Sequence, residues 1–132
     1  MMLRFAVPAL FLALSITACG GKGDDPAAAV EKKAIPAVAL AKAEEVFNTR
    51  CVPCHGAQGH GDGSASATLN PKPRNFGDAD WQKSVTDDHI KKIIKVGGAG
   101  VGKSAAMPSN PDLINDNVLT ALKDKIRNFG GK

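Results

Sequence analysis

In TRCVPCHGAQGHGDG (Thr49–Gly63), two cysteines and a histidine lie within five residues, and four glycines follow them. Two thiols with this spacing beside an imidazole are found in three kinds of site: a redox-active dithiol, a zinc site and a covalent haem site. The rest of the sequence must therefore be used to decide which of these three kinds of site is present.

The surroundings of the motif favour the haem site. A thioredoxin-like dithiol follows a β-strand in a βαβ pattern, whereas here a helical apolar stripe precedes the cysteines. Structural zinc needs four ligands, and only Cys51, Cys54, His55 and His60 lie close together in the sequence. A covalent haem uses the whole C-x-x-C-H motif, because Cys51 and Cys54 can add to the two vinyl groups of the porphyrin while His55 ligates the iron.

The N-terminus is typical of a targeting signal. Arg4 precedes the apolar run Phe5–Ile16, which has the length of a signal-peptide core and is too short to span a bilayer. Small residues before Cys19 resemble a bacterial lipoprotein signal, in which the cysteine is acylated. We therefore expect a signal peptide over residues 1–18 and lipidation at Cys19. An ordinary signal peptide with an incidental Cys19 is the alternative.

The segment after Cys19 has the composition of a linker. Residues 19–34 are rich in Gly, Ala, Pro and charged residues and show no apolar periodicity. We expect a flexible tether that holds the folded domain, residues 35–132, on the periplasmic side of a bacterial membrane, or in the soluble periplasm if Cys19 is not acylated. The alternative is that part of this Ala-rich run extends the first helix.

Composition limits the function and the core. The formal net charge of +4 is mild and lacks the concentrated basic face of nucleic-acid-binding proteins, so we expect no nucleic-acid partner. Residues 35–132 contain no tyrosine, one tryptophan and only three phenylalanines, Phe47, Phe76 and Phe129. So few large apolar side chains indicate a core that gains from a bulky hydrophobic cofactor.

Three segments show helical periodicity. Their predicted apolar stripes are Leu40, Ala43 and Phe47; Ile90, Ile93 and Ile94; and Leu119, Leu122 and Ile126. We expect Pro36 to start the first helix, which leads directly into Cys51. Thr86 should cap the second helix and Gly97 should end it. The third should begin near Asn115 and end at Gly130.

No segment has the alternation of a strand pair. The predicted fold class is all-α, with three main helices, a short helical turn near Trp81 and long loops wrapped around one covalent haem. Glycine and proline dominate from residue 56 to residue 73, and loops of this length are usually functional.

A sixth ligand for iron is suggested by Met107, the only methionine after the signal peptide. A lone methionine usually fills core space, but this one lies in a Gly/Ala/Ser-rich loop and precedes Pro108. Its thioether is a soft ligand that raises the reduction potential relative to a second imidazole. The competing ligands are His60, which we expect to be solvated, and His89, which we expect at the surface or as a capping group.

The order of these motifs resembles that of class I mono-haem cytochromes c of the bacterial periplasm. The resemblance covers residues 38–129. Its parts are Phe47 four residues before Cys51, CVPCHG, GHGDG, NPKPRNF, Trp81, TDDHIKKIIKVGG, GKSAAMP and KIRNF.

The resemblance implies a helical fold around one covalent haem c, His55 and Met107 as iron ligands, and one-electron transfer without catalysis. It also suggests that a carbonyl between Pro71 and Arg74 accepts the Nδ1 proton of His55, and that Arg74 and Trp81 contact the haem propionates. Two positions depart from the family pattern. Ser64 stands where relatives often have proline, and Lys125 replaces an aromatic residue at the crossing of the first and last helices, where Phe129 could substitute.

The sequence thus predicts a monomeric electron carrier between periplasmic or membrane redox proteins. Lysines could surround the haem edge and attract acidic partners. They are Lys72, Lys91, Lys92, Lys95 and Lys103. Two alternatives remain: a haem c subunit of a larger oxidase or reductase complex, and a peroxide- or gas-reactive haem protein if the methionine is displaceable.

Overall fold

A computed structural model describes residues 34–131. The predicted signal peptide, nearly all of the predicted tether and the lipidation site at Cys19 lie outside the described residues. Within residues 34–131 there are five α-helices and no β-strand, which confirms the all-α prediction. The helices are α1 (Ala37–Val46), α2 (Val52–His55), α3 (Ala79–Ser84), α4 (Asp87–Val96) and α5 (Asp116–Asn128). A π-helical turn, Phe47–Cys51, joins α1 to α2, and two 3₁₀ turns cover Ser64–Thr68 and Ala99–Val101.

Helix α1 begins after Pro36 and packs against α5. The buried side chains of α1 and the following turn are Ala39, Ala43, Val46 and Phe47. The prediction for Leu40 was wrong, because its side chain is 48% exposed. The buried face uses Ala39, one turn before Ala43, so Leu40 falls outside it.

Helix α4 has the boundaries that its sequence predicts. The Thr86 hydroxyl oxygen accepts a hydrogen bond from the backbone N–H of His89 at 3.1 Å, and acidic residues occupy the first turn. Ile90 and Ile94 are buried. The helix ends at Gly97, whose φ of 73° is unfavourable for residues with a side chain.

Helix α5 crosses both α1 and α4. Its stripe Leu119, Leu122 and Ile126 is buried as predicted. The helix begins after its N-cap Asn115 and ends at Asn128, two residues before the predicted Gly130.

The crossing of α1 and α5 accommodates the lysine that departs from the family pattern. The ring centroids of Phe47 and Phe129 are 5.6 Å apart, so Phe129 supplies the aromatic contact as predicted. Lys125 Nζ lies 4.8 Å from the Phe47 ring centroid and pairs with the Glu44 carboxylate at 2.9 Å. A cation–π contact and an ion pair therefore occupy the place of a second aromatic ring.

Candidate functional site

The two cysteines and the histidine lie on one continuous helical segment. Cys51 is the last residue of the π-helical turn, and Cys54 and His55 belong to α2. The motif was predicted at the end of the first helix, but the helical path continues through it to His55. Both cysteines are half-buried and form no disulfide with each other, and His55 is also half-buried.

The glycines after His55 fold the chain back against α2. The backbone N–H of Gly61 donates to the His55 carbonyl at 2.8 Å, and that of Gly63 donates to the Cys54 carbonyl at 3.1 Å. Gly61 has a φ of 78°, and a Cβ atom there would lie 2.4 Å from the Pro73 carbonyl oxygen. Only glycine therefore fits between α2 and the segment that contains Pro73.

This close approach fixes the imidazole of His55. Its Nδ1 lies 3.1 Å from the Arg74 carbonyl oxygen, which is the type of contact predicted for the Pro71–Arg74 segment. The Phe76 ring stacks on the imidazole, with centroids 4.4 Å apart and planes inclined by 16°. With Nδ1–H donating to the carbonyl, Nε2 keeps the lone pair that a metal needs.

Burial determines the protonation states in the motif. Burial lowers the pKa of His55 and outweighs the hydrogen bond to Arg74 O, which raises it, so the neutral imidazole is favoured. Burial likewise raises the pKa of the Cys51 thiol to about 11, although Arg50 opposes the change. Reactive redox cysteines have lowered pKa values, so the Cys51 environment does not support the dithiol interpretation.

The loop that contains Met107 is fastened to the end of α4. We call residues 98–110 the Met107 loop. The backbone N–H of Gly98 donates to the Met107 carbonyl at 3.0 Å, and that of Lys103 donates to the Gly98 carbonyl at 2.8 Å. A Cβ atom on Gly98 would lie 2.0 Å from the Ser104 carbonyl oxygen, so glycine allows the loop to pack onto the helix end.

Asn110 fixes the far end of the Met107 loop. Its backbone N–H donates to the Lys95 carbonyl at 3.0 Å, and its side-chain amide donates to the Ile94 carbonyl at 2.8 Å. The loop thus leaves the end of α4 at Gly98 and returns to the last turn of α4 at Asn110, and Met107 lies between these two attachments.

The predicted haem-binding residues line a single cleft of about 300 Å³. Cys51, Cys54, His55 and Met107 all line it, although Met107 lies far from the motif in sequence. Apolar side chains supply much of the remaining wall: Leu69, Pro71, Pro73, Phe76, Trp81, Ile90, Ile93, Ile94, Pro108 and Ile126. The cleft is therefore apolar and has sulfur and imidazole donors at its surface.

The predicted propionate contacts, Arg74 and Trp81, also line the cleft. The Arg74 guanidinium lies 5.9 Å from the Trp81 ring centroid, and it pairs with Asp78 at 3.8 Å.

His89, predicted at the surface or as a cap, is half-buried and lines the cleft, whereas the exposed His60 does not line it.

The five lysines that were predicted to surround the haem edge fall into two groups. Lys72 and Lys103 line the cleft, and no Asp or Glu does so among the described residues. The α4 lysines, Lys91, Lys92 and Lys95, are not among the lining residues, and Lys91 pairs with Asp116 at 3.3 Å. Of the five lysines, Lys72 and Lys103 are therefore the ones that line the cleft.

Sequence reasoning missed three contributors to the site. Phe76 stacks on His55, and Asn110 fixes the Met107 loop. Arg50 lines the cleft and binds Asn110 and Asp112, about sixty residues further along the chain. The position of Arg50 beside Cys51 was the only signal in the sequence, and it does not reveal a partner so distant.

Neither a zinc site nor a membrane span appears in the described part of the chain. Residues 34–131 contain no group of three or more His, Cys, Asp or Glu side chains placed to hold a metal ion, which gives the zinc interpretation no support. No helix within the same residues combines the length and apolar character needed to cross a bilayer.

An all-α fold with a C-x-x-C-H motif beside an apolar cleft defines a haem-binding class of protein. The sequence model of the Cytochrome c family matches residues 40–125, and the chain belongs to this family. Members of the family bind haem c covalently and function as haem-based electron carriers, generally without catalysis. No curated protein matches the chain.

Proposed function

We propose that the protein transfers single electrons through one haem c, attached by Cys51 and Cys54 and ligated by His55 and Met107. The observation that supports this most directly is the shared cleft, because all four side chains line one apolar cavity. Haem supplies iron that alternates between ferric and ferrous states. The protein residues attach it, orient it and limit the access of water.

The donor set suits an electron carrier. The thioethers formed by Cys51 and Cys54 would prevent loss of the haem. Burial lowers the pKa of His55 and so favours its neutral form, and Arg74 O and Phe76 fix its ring, so it is prepared to ligate iron with little rearrangement. Met107, as an iron ligand in addition to His55, would leave no open coordination position for substrate, which favours electron transfer over peroxide or gas chemistry.

Absorption spectroscopy of the matured holoprotein tests the ligands. The ferric protein should show the weak red-region band of sulfur-ligated haem, and the ferrous protein should resist carbon monoxide. Met107→Ala should abolish the band and admit carbon monoxide, whereas Cys19→Ser should change neither property. A wild-type ferrous protein that binds carbon monoxide as readily as Met107→Ala would contradict Met107 ligation and favour the gas-reactive alternative.

The electron partners we propose are acidic redox proteins that approach the rim of the cleft. Lys72 and Lys103 supply positive charge there, whereas Arg50 and Arg74, which also line the cleft, pair with Asp112 and Asp78. No carboxylate of the described residues lines the cleft. Opposite charge on a partner would raise the rate of encounter at low ionic strength. Association with a larger oxidase or reductase would be detected by co-purification from membranes.

We further propose that Cys19 is acylated and that residues 19–34 tether a monomeric domain at the periplasmic face of a bacterial membrane. The proposal rests on the lipoprotein-like sequence before Cys19 and on the linker composition after it. Tethering would restrict the search for membrane partners to a layer near the surface. Metabolic labelling with a fatty acid tests it, since Cys19→Ser should abolish the label and release the protein from the membrane.

A further inference from the structure

Arg50 links the haem-attachment segment to the Met107 loop. One guanidinium nitrogen donates to Asp112 Oδ1 at 2.8 Å and to Asn110 Oδ1 at 3.2 Å, and the other donates to Asp112 Oδ2 at 2.8 Å. This is a bidentate Arg–carboxylate pair with an additional amide contact. We call Arg50, Asn110 and Asp112 the Arg50 clamp.

The clamp lies next to two residues that we propose hold the haem. Arg50 directly precedes Cys51, and Asn110 is three residues after Met107. Asn110 also holds the last turn of α4 through its backbone N–H and its side-chain amide. The clamp therefore joins the attachment helix, the end of α4 and the end of the Met107 loop.

The Met107 loop has few other side-chain contacts that hold it closed. Lys103, Ser104, Ala106, Met107 and Pro108 line the cleft, so much of the surface of the loop faces the space that the haem would occupy. Its attachments at Gly98 are backbone hydrogen bonds. A segment that protein contacts hold mainly by hydrogen bonds at its two ends opens locally at lower free energy than a packed helix, so those end contacts restrain it.

We propose that the Arg50 clamp is a positioning device that holds the Met107 loop closed over the cleft and slows replacement of the Met107 sulfur by outside ligands. The second effect rests on the proposed ligation by Met107. Arg50 itself makes no bond to the iron in this proposal. It acts through Asn110 and Asp112, which follow the ligand in the chain.

Amide hydrogen exchange of the holoprotein tests loop closure directly. Arg50→Gln should speed exchange of the Asn110 and Lys103 amides by roughly two- to fivefold, since partly exposed ion pairs contribute modestly. The Ile126 amide in α5 should be unaffected. Asp112→Asn should have a similar effect, and the double variant should add little to either single change because one interaction is lost.

Displacement of Met107 by added imidazole tests the effect on the ligand. Imidazole should bind to ferric Arg50→Gln roughly two- to fivefold faster than to the wild type, and Arg50→Lys, which can make one of the two carboxylate contacts, should lie between them. Lys125→Gln is the matched control. It removes a cation that links α5 to α1 through the pair with Glu44 at 2.9 Å, and Lys125 does not line the cleft.

The outcomes separate this inference from the proposed function. If imidazole binding accelerates equally in Arg50→Gln and Lys125→Gln, in proportion to lost unfolding free energy, the clamp is only structural and the inference is overturned. Equal loop exchange in the wild type and Arg50→Gln also overturns it. If the ferric wild type lacks sulfur ligation, the proposed ligand is wrong, and faster loop exchange in Arg50→Gln would still support a clamp that closes the loop.

Discussion

His55 Nδ1 lies 3.1 Å from the Arg74 carbonyl oxygen, and this contact depends on a glycine in another part of the loop. Gly61 holds the chain so close to Pro73 that a Cβ atom would be 2.4 Å from the Pro73 carbonyl oxygen. The orientation of the proposed iron ligand thus depends on close backbone packing between Gly61 and the segment that contains Pro73 and Arg74.

Gly61→Ala should destabilise the holoprotein more than Gly102→Ala. Both glycines have a positive φ, 78° and 71°, but only at Gly61 does a Cβ atom meet the backbone. We expect a loss of about 1 kcal/mol for Gly102→Ala from backbone strain, and a further loss of about 1–3 kcal/mol for Gly61→Ala from overlap. Denaturant unfolding measures both, and equal losses would contradict the packing described here.

Gly98→Ala should displace the Met107 loop without straining the backbone. Gly98 has a φ of −63°, which alanine adopts readily, but its Cβ atom would lie 2.0 Å from the Ser104 carbonyl oxygen. We expect the ferric protein to lose the red-region band of sulfur ligation and about 1–3 kcal/mol of stability. Gly102→Ala in the same loop is the control, since its Cβ atom would meet no atom within 4 Å and the band should be retained. A normal band in Gly98→Ala would contradict this packing.

The ion pairs of Asp87 should make stability depend on pH. Burial raises the pKa of Asp87, but hydrogen bonds from Arg127 and Lys123 outweigh it and lower the pKa below its usual value. A lowered carboxyl pKa contributes stability above the unfolded pKa of about 3.9, and this contribution is lost as pH falls through the folded value.

Asp87→Asn should therefore reduce the free energy of unfolding at pH 7 by up to about 1 kcal/mol, because the Asp87 side chain is 52% exposed. The difference from the wild type should shrink below about pH 4. Asp88→Asn removes the same charge from the same helical turn and serves as the control. A difference that does not change with pH would show that the loss arises from packing.

Lys103→Glu should change the rates of electron transfer to an anionic and to a cationic inorganic oxidant in opposite directions. Lys103 lines the cleft, so reversal of its charge should slow oxidation of the ferrous protein by ferricyanide and speed oxidation by a cationic cobalt complex. We expect changes of about threefold at low ionic strength that disappear at high salt. Lys92→Glu, outside the cleft, is the control, and equal effects of the two changes would contradict a rim centred on the cleft.

Local patterns predicted the helices more successfully than they predicted the contacts between them. The cap at Thr86 and the stripe from Ile90 to Ile94 involve neighbouring residues, so the sequence was sufficient for α4. The buried face of α1 depends on α5, which is why Leu40 was assigned wrongly. Helix propensity and spacing do not specify the partner of a face.

The same distinction applies to the site. Cys51, Cys54 and His55 form a contiguous motif, and Met107 could be proposed because no other methionine follows the signal peptide. The pairing of Arg50 with Asp112 is a contact between exposed polar residues 62 positions apart, and no periodicity predicts it. The acceptor for His55 could be expected only from the resemblance to class I cytochromes c.

Mass spectrometry of the peptide that contains Cys51–His55 tests the central claim most directly. Protein produced in a bacterial host with active cytochrome c maturation should yield this peptide with the mass of one haem, joined through both cysteines. Cys51→Ser should retain one linkage, and Cys51→Ser/Cys54→Ser should retain none. Folded wild-type protein from the same host with both thiols free and no added haem mass would contradict the account.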